Sequence, residues 1–288
     1  MKPGKQVSRR GLLRGIGTAA AAGLLGNVAG RAAVRGRASG TGTGRARVLA
    51  LIGDRYHNAD YIRVGLDKLF DGLTLPVDYT IDCAGISASL LQNYQLFVCF
   101  RDGMIWPQGY LEPSGYPYAR ELENPDGWPE EEPQPWIREE QGKAVKDFVW
   151  SGNGFYALHN SSNVSLYSKS FREVMGGAYI GHPPLRPFKV RVVNREHPIT
   201  KGVQDFVVND EQHYVTYDKD PKDVILRSEN LDGLGYENLG TQAIAGWAYD
   251  YGKGRVVFTA PGHTAHALWQ PEYFKIQQNA VRWLLRMA

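Results

Sequence analysis

The chain has 288 residues, 43% of them apolar and 22% charged, proportions of a folded globular protein that argue against disorder. Its formal charge is +3, yet Lys2, Lys5, Arg9, Arg10, Arg14, Arg31, Arg35 and Arg37 hold eight of the 33 basic residues in a stretch without an acid, and without them 25 bases face 30 acids, a balance of −5. The remaining body lacks the basic footprint that nucleic-acid binding requires, so no nucleic-acid partner is expected.

Ser8-Arg9-Arg10-Gly11-Leu12-Leu13-Arg14, followed by a Gly-, Ala- and Leu-rich run to Ala29, reads as a twin-arginine signal peptide with its linker over residues 1–39. Arg14 and Arg31 bracket a run shorter than the roughly 20 apolar residues of a spanning helix, so no stable membrane insertion is expected once the signal is removed. Export by the twin-arginine route would deliver the protein to a periplasmic or extracellular place. Residues 45–288 then have the size of one large domain.

Arg47–Gly53 is a continuous apolar run, the pattern of a strand buried on both faces of a parallel sheet. Ala59–Leu73 repeats Tyr61, Ile62, Leu66, Leu69 and Phe70 at helical spacing, Val77–Asp82 is a second strand, and a short helix around Leu90 to Tyr94 precedes a third strand, Leu96–Phe100. Strand, helix, strand, helix, strand opens a doubly wound α/β fold. Over about residues 104–136 the periodicity stops; Met104–Trp136 holds seven prolines and three tryptophans, an excursion long enough to suggest a lid or binding loop. Ile137–Trp150 resumes as a helix and Gly154–Leu158 as a strand. Phe188–Asn194 alternates like an edge or antiparallel strand, and Phe206–Tyr217, Val224–Ser228, Ala243–Tyr249 and Arg255–Thr259 supply further strands, with Gly252-Lys253-Gly254 as a hairpin turn. Glu272–Arg286 closes the chain as a helix. Cys83 and Cys99 sit in or beside apolar runs and read as core residues, although export permits a disulfide.

Three of the seven histidines, His57, His159 and His263, each follow a strand, and in an open parallel sheet the carboxyl ends of the strands share the edge where ligands bind. Asp102 ends the third strand on the same rim, and Glu211 is a further candidate, with His213 two residues on and facing the same way in an extended segment. His182 and His197 precede prolines in turns and read as structural; His266 has nothing to recommend it. Ser161 and Ser162 read as helix caps. No G-x-S-x-G elbow, G-x-G-x-x-G loop or Walker glycine pattern is present, so serine-hydrolase, dinucleotide and nucleoside-triphosphate chemistry lack their supports.

The segments "GFYALHNSSN", "HPITKG", "DEQHY" and "GKGRVVFTAPGH", with "NAVRWLL" near the end, together resemble the ThuA-like (trehalose utilisation) family, similar in fold to the class I glutamine amidotransferases. The resemblance implies a flavodoxin-like, doubly wound and mostly parallel sheet with added antiparallel strands and a long Pro/Trp-rich insertion, longer than a minimal member would need. It places His57, His159, Glu211, Tyr214 and His263 at the family's matching positions, with His159 where the amidotransferases carry their catalytic cysteine. Without that thiolate, glutamine hydrolysis has no nucleophile. The implied ligand is a small-molecule carbohydrate. The expectation is an isomerase, epimerase, lyase or hydrolase acting on a sugar or oxidised sugar, with His159, His263 and Glu211 catalytic and His57, Asp102, Asn160 and Tyr214 binding substrate. The alternative is a carbohydrate-binding protein that has kept the fold and lost the chemistry. The cofactor is open: His57, His159 and His263 with a carboxylate also form a ligand set suited to a divalent metal such as zinc.

Overall fold

The computed structural model describes residues 47–106 and 132–287. The segment expected to be a signal peptide and the body of the insertion lie outside the described residues. Among the described residues no helix is long and apolar enough to cross a membrane.

The first three strands, β1 (Val48–Ile52), β2 (Val77–Thr80) and β3 (Leu96–Phe100), form with helices α1 (Ala59–Gly72) and α2 (Ala88–Leu91) the expected α/β opening. The ends of the Pro/Trp-rich excursion are not irregular: β4 (Met104–Ile105) and β5 (Gln134–Pro135) pair antiparallel and close its neck. There follow α3 (Glu139–Trp150), β6 (Gly154–Leu158), a 3₁₀ helix over His159–Leu166, α4 (Lys169–Met175), β7 (Gly177–Gly181) and β8 (Arg186–Val192). The remainder is β9 (Phe206–Asp210), β10 (Tyr214–Tyr217), β11 (Val224–Asn230), β12 (Gln242–Tyr251), β13 (Gly254–Thr259), α5 (Ala265–Leu268) and α6 (Pro271–Leu284).

Nine strands make one sheet in the order β2-β1-β3-β6-β13-β12-β11-β8-β9. The first five run parallel, in the 2-1-3-4-5 order of a flavodoxin-like fold. From β13 onward the pairs are antiparallel. Sequence pattern follows this division: β1, β3 and β6 are buried at every position, whereas β8 and β9 alternate between buried and exposed residues. β8 is antiparallel as expected but lies between β11 and β9, so it is not an edge. α1 begins directly behind the site because the Asn58 side chain accepts from Asp60 N at 2.7 Å and caps it. Cys83 and Cys99 are buried and unpaired, and burial pushes the Cys99 thiol up to about 12.

One predicted strand does not exist as a unit. Phe206–Tyr217 splits after Asp210: β9 stays in the main sheet against β8, while β10 leaves it to pair with β7 in a separate two-stranded ribbon. The break presents Glu211 and His213 to the carboxyl edge of the parallel strands, while Gln212 between them turns back to bond Ser228 and the Thr241 carbonyl.

Candidate functional site

Asp54, in the turn that follows β1, is the organising group. Its carboxylate accepts from Tyr56 N (2.8 Å), His57 N (3.0 Å) and His57 Nδ1 (2.9 Å) through Oδ1, and from Asp102 N (3.0 Å) and the Asn160 amide through Oδ2. One buried carboxylate thus joins the ends of β1, β3 and β6. Burial acts to raise its pKa, but the bonds from His57, Asp102 and Tyr56 outweigh this and hold it below the usual carboxylate range. With Nδ1–H given to Asp54, His57 turns the Nε2 lone pair toward His263 Nδ1, 3.1 Å away. Burial, aided by the charges of His159 and His263, lowers the His57 pKa despite Asp54, which favours the neutral ring.

His159 begins the 3₁₀ helix with φ of +49°, a left-handed conformation that costs a β-carbon residue roughly 1–3 kcal/mol. The sharp turn from β6 into the 3₁₀ helix thus carries an imidazole. Gly262 makes room for this turn: a β-carbon there would lie 2.8 Å from the His159 Cβ and 2.9 Å from the Phe100 ring. The His159 ring is fully buried; Nδ1 donates to the Ala260 carbonyl at 2.7 Å, and Nε2, 3.5 Å from Glu211 Oε2, has no hydrogen bond. Burial opposes protonation of this ring, but Glu211 and Asp210 outweigh it and raise its pKa. The field that favours a proton at Nε2 would equally favour a metal cation, and the two compete for one lone pair.

The second half of the site comes from the break after β9. Asp210, fully buried, accepts from Gly262 N at 2.6 Å and His263 N at 3.0 Å, and so fixes the turn that carries His263. Glu211 Oε2 stands 3.1 Å from His263 Nδ1, 3.4 Å from His213 Nε2, and 3.5 Å from both His159 Nε2 and His182 Nε2. Burial would raise the Glu211 carboxyl; the close imidazoles of His159, His213 and His263 overcome it and keep the group ionised far below the usual range. His263 Nδ1 is also 3.1 Å from His57 Nε2. His213 stacks on His159, ring centres 4.0 Å apart, and burial plus the His159 charge lower its pKa well below the ordinary histidine value.

His57, His182, Glu211, His213 and His263 border a cavity of about 850 Å³, whose wall includes Asp102, Asn160 and the aromatic rings of Tyr56, Trp106, Tyr167 and Tyr179; the fully buried His159 is not part of that wall. Asp102 accepts from Met104 N at 2.9 Å and Trp106 Nε1 at 3.1 Å, and burial beside Asp54 raises its carboxyl to about 6. The neck of the insertion is tied to the same residue, since Trp136 Nε1 donates to the Asp102 carbonyl at 2.6 Å.

The structure therefore brings His57, His159, Glu211 and His263 together, with Asp102 and Asn160 around them. Tyr214 it does not: the ring is buried, its hydroxyl donates to the Gly240 carbonyl at 2.7 Å, and it is absent from the cavity wall because β10 turns it into the β7 ribbon. Nor are Ser161 and Ser162 caps; both are buried within the 3₁₀ helix, and Ser168 caps α4 instead. His182, read from sequence as a turn residue, lines the cavity. Asp54 and Asp210 escaped sequence reading as well. Asp54 carried a faint signal, an aspartate three residues before His57 in a turn, whereas Asp210 had none beyond its neighbour Glu211.

The family described as trehalose utilisation, ThuA, matches residues 128–284, more than half of the chain. The chain belongs to the ThuA family. Membership of the ThuA family points to a carbohydrate-related role. The fold is similar to that of a ThuA-like protein from Bacteroides uniformis (17% identity, TM-score 0.58, covering 86% of this chain and 95% of that one). It is likewise similar to a ThuA-like protein from Parabacteroides merdae (16% identity, TM-score 0.59, 84% and 90% covered). A β-galactosidase from Rahnella sp. R3 shares the fold over 85% of this chain and 32% of its own, at 12% identity and a TM-score of 0.52. No curated protein is similar enough in sequence to match the chain. At these identities the solved structures establish the fold alone.

Proposed function

We propose that this ThuA-family protein is an exported enzyme that modifies a sugar or oxidised sugar, with His57, His159, Glu211 and His263 able to hold a divalent cation such as zinc. The observation that carries the reading is the spacing of four ligand atoms, which all lie within 4.8 Å of one another. Ligands about 2.0–2.1 Å from a tetrahedral ion sit about 3.3 Å apart; the contacts His57–His263 (3.1 Å), His263–Glu211 (3.1 Å) and His159–Glu211 (3.5 Å) scatter around that value. The donor set fits such an ion chemically as well. His57 and His159 each give Nδ1–H to an oxygen, Asp54 and Ala260 respectively, leaving Nε2 as a lone-pair donor, and the buried Nε2 of His159 has no other partner.

A divalent ion bound there would polarise a sugar carbonyl or lower the pKa of water. The chain's own groups supply the rest. His263, the more exposed imidazole of the set, is placed to exchange a proton with a hydroxyl or with a carbon beside a carbonyl. Glu211, kept ionised by its imidazole neighbours, orients them and offers an acceptor. Trp106, Tyr56, Tyr167 and Tyr179 give apolar faces for a pyranose ring, while Asp102 and Asn160 meet its hydroxyls. Glutaminase chemistry has no place: Cys83 and Cys99 are absent from the cavity wall and no thiol stands on the elbow.

Elemental analysis of gently purified protein, with a panel of sugars and keto-sugars followed by NMR, tests this reading. About one divalent ion per chain, lost in His159→Gln together with turnover while sugar affinity persists, is the expected result. Sugar binding without turnover in the unaltered protein would make it a carbohydrate-binding protein instead. Absence of metal, with no uptake on adding zinc, would contradict the ligand assignment.

A further inference from the structure

Arg55 follows Asp54 in the turn after β1 and is only 8% exposed. Burying a guanidinium costs free energy unless hydrogen bonds or a counter-charge offset it. Several other arginines among the described residues follow that rule. Arg101 donates to the Gly53 and Met104 carbonyls; Arg186 donates to the Leu234 carbonyl and faces Asp232; and the more exposed Arg172, Arg191 and Arg195 each hold a carboxylate. Arg55 does not. Its Nε is buried without a hydrogen bond, as are those of Arg101 and Arg186, but among the described residues neither a carboxylate nor a carbonyl engages the rest of its guanidinium.

What holds Arg55 is aromatic. The guanidinium carbon lies 4.8 Å from the centre of the Trp106 ring and 5.4 Å from that of Tyr56, and the two rings meet edge to face at 5.6 Å. Trp106 is itself fixed by its bond to Asp102. A guanidinium stacked on a ring keeps its planar fork of N–H donors free at the edge, the geometry that matches a carboxylate with two parallel bonds. All of these residues line the cavity that holds Glu211 and His263. We infer that Arg55 receives the carboxylate of the substrate, so that the ligand is an acidic sugar (a uronic or aldonic acid, or a glycoside of one) and not a neutral one. The assignment rests on the carbohydrate reading of the cavity. A sugar phosphate fits less well, because one guanidinium would face two negative charges in a wall that also carries Asp102 and Glu211.

Calorimetry on the full chain tests it with matched ligands: D-glucuronate against D-glucose, D-galacturonate against D-galactose, and glucose 6-phosphate. At least one acid should bind about tenfold or more tighter than its neutral twin, as a charge-assisted bidentate bond requires, and the advantage should shrink with added salt. Arg55→Gln should abolish that advantage and leave the neutral twin within about twofold; Arg55→Lys, which keeps charge but not the fork, should retain part of it. Equal affinity for acid and neutral twins, or equal weakening of both in Arg55→Gln, would overturn the Arg55 assignment and leave the sugar reading standing. Tighter binding of glucose 6-phosphate than of either uronate would overturn the choice of a carboxylate. Failure of all five ligands to bind would sink both readings together.

Discussion

The parallel and antiparallel halves of the sheet contribute to the site in different ways. The parallel strands β1, β3, β6 and β13 deliver His57, Asp102, His159 and His263 simply by ending on a common edge, so topology alone makes them neighbours. The antiparallel half contributes by failing to remain a sheet. β9 and β10 part company after Asp210, and the residues at the break, Glu211 and His213, swing to the edge that the parallel half built, with His182 arriving from the end of β7. Regular structure places the imidazoles; an interruption places the carboxylate that gathers them.

Glu211→Gln should break this junction most severely. Loss of the charge that the imidazoles surround should weaken zinc binding by more than about 100-fold, measured by competition with a chromophoric chelator, while far-ultraviolet circular dichroism stays native. Retention of tight zinc binding would show that the parallel half suffices alone. Next in size is a pH effect confined to that half. The Asp102 carboxyl rises from 3.8 to about 6 on folding, so folding favours its protonated form, and the stability this confers is present below about pH 4 and lost as pH climbs through 6. The lead in stability of the unaltered protein over Asp102→Asn should therefore shrink by about 2–3 kcal/mol between pH 4 and 7, read from urea midpoints. A constant difference would contradict the burial-driven shift.

Asp54→Asn sharpens the comparison from beneath. The substitution removes the carboxylate that orients His57 and joins three parallel strand ends, and zinc affinity should fall about 10- to 100-fold. An unchanged affinity would mean that His57 is oriented by packing alone. The smallest effect is assigned to Tyr214→Phe, which should cost about 1 kcal/mol of stability through the lost bond to Gly240 and leave sugar affinity unaltered. A selective loss of sugar binding would return Tyr214 to the site.

The same contrast explains what the sequence revealed. Apolar runs at Val48–Ile52, Leu96–Phe100 and Gly154–Leu158 announce buried parallel strands, and a histidine after such a run is placed by its position. His57, His159 and His263 were therefore legible. The alternating pattern of Phe206–Tyr217 suits one strand as well as two, because the period of side chains says nothing about which partner a strand pairs with. Glu211 is consequently a candidate without a location; Tyr214 enters the site only through the family resemblance, and His182, just before a proline, reads as a turn residue for a separate reason. Asp54 and Asp210 were hidden for another reason: each acts on backbone amides and on other side chains from remote segments, a role that leaves no spacing in the sequence.

X-ray absorption at the zinc edge of the zinc-loaded full chain tests the central claim most directly. Convergence of His57, His159, Glu211 and His263 on one ion predicts a first shell of nitrogen and oxygen only, at about 2.0–2.1 Å, with imidazole outer-shell scattering that diminishes in His159→Gln. A sulfur shell, a shell of oxygens without imidazole, or a spectrum that His159→Gln leaves unaltered would contradict it.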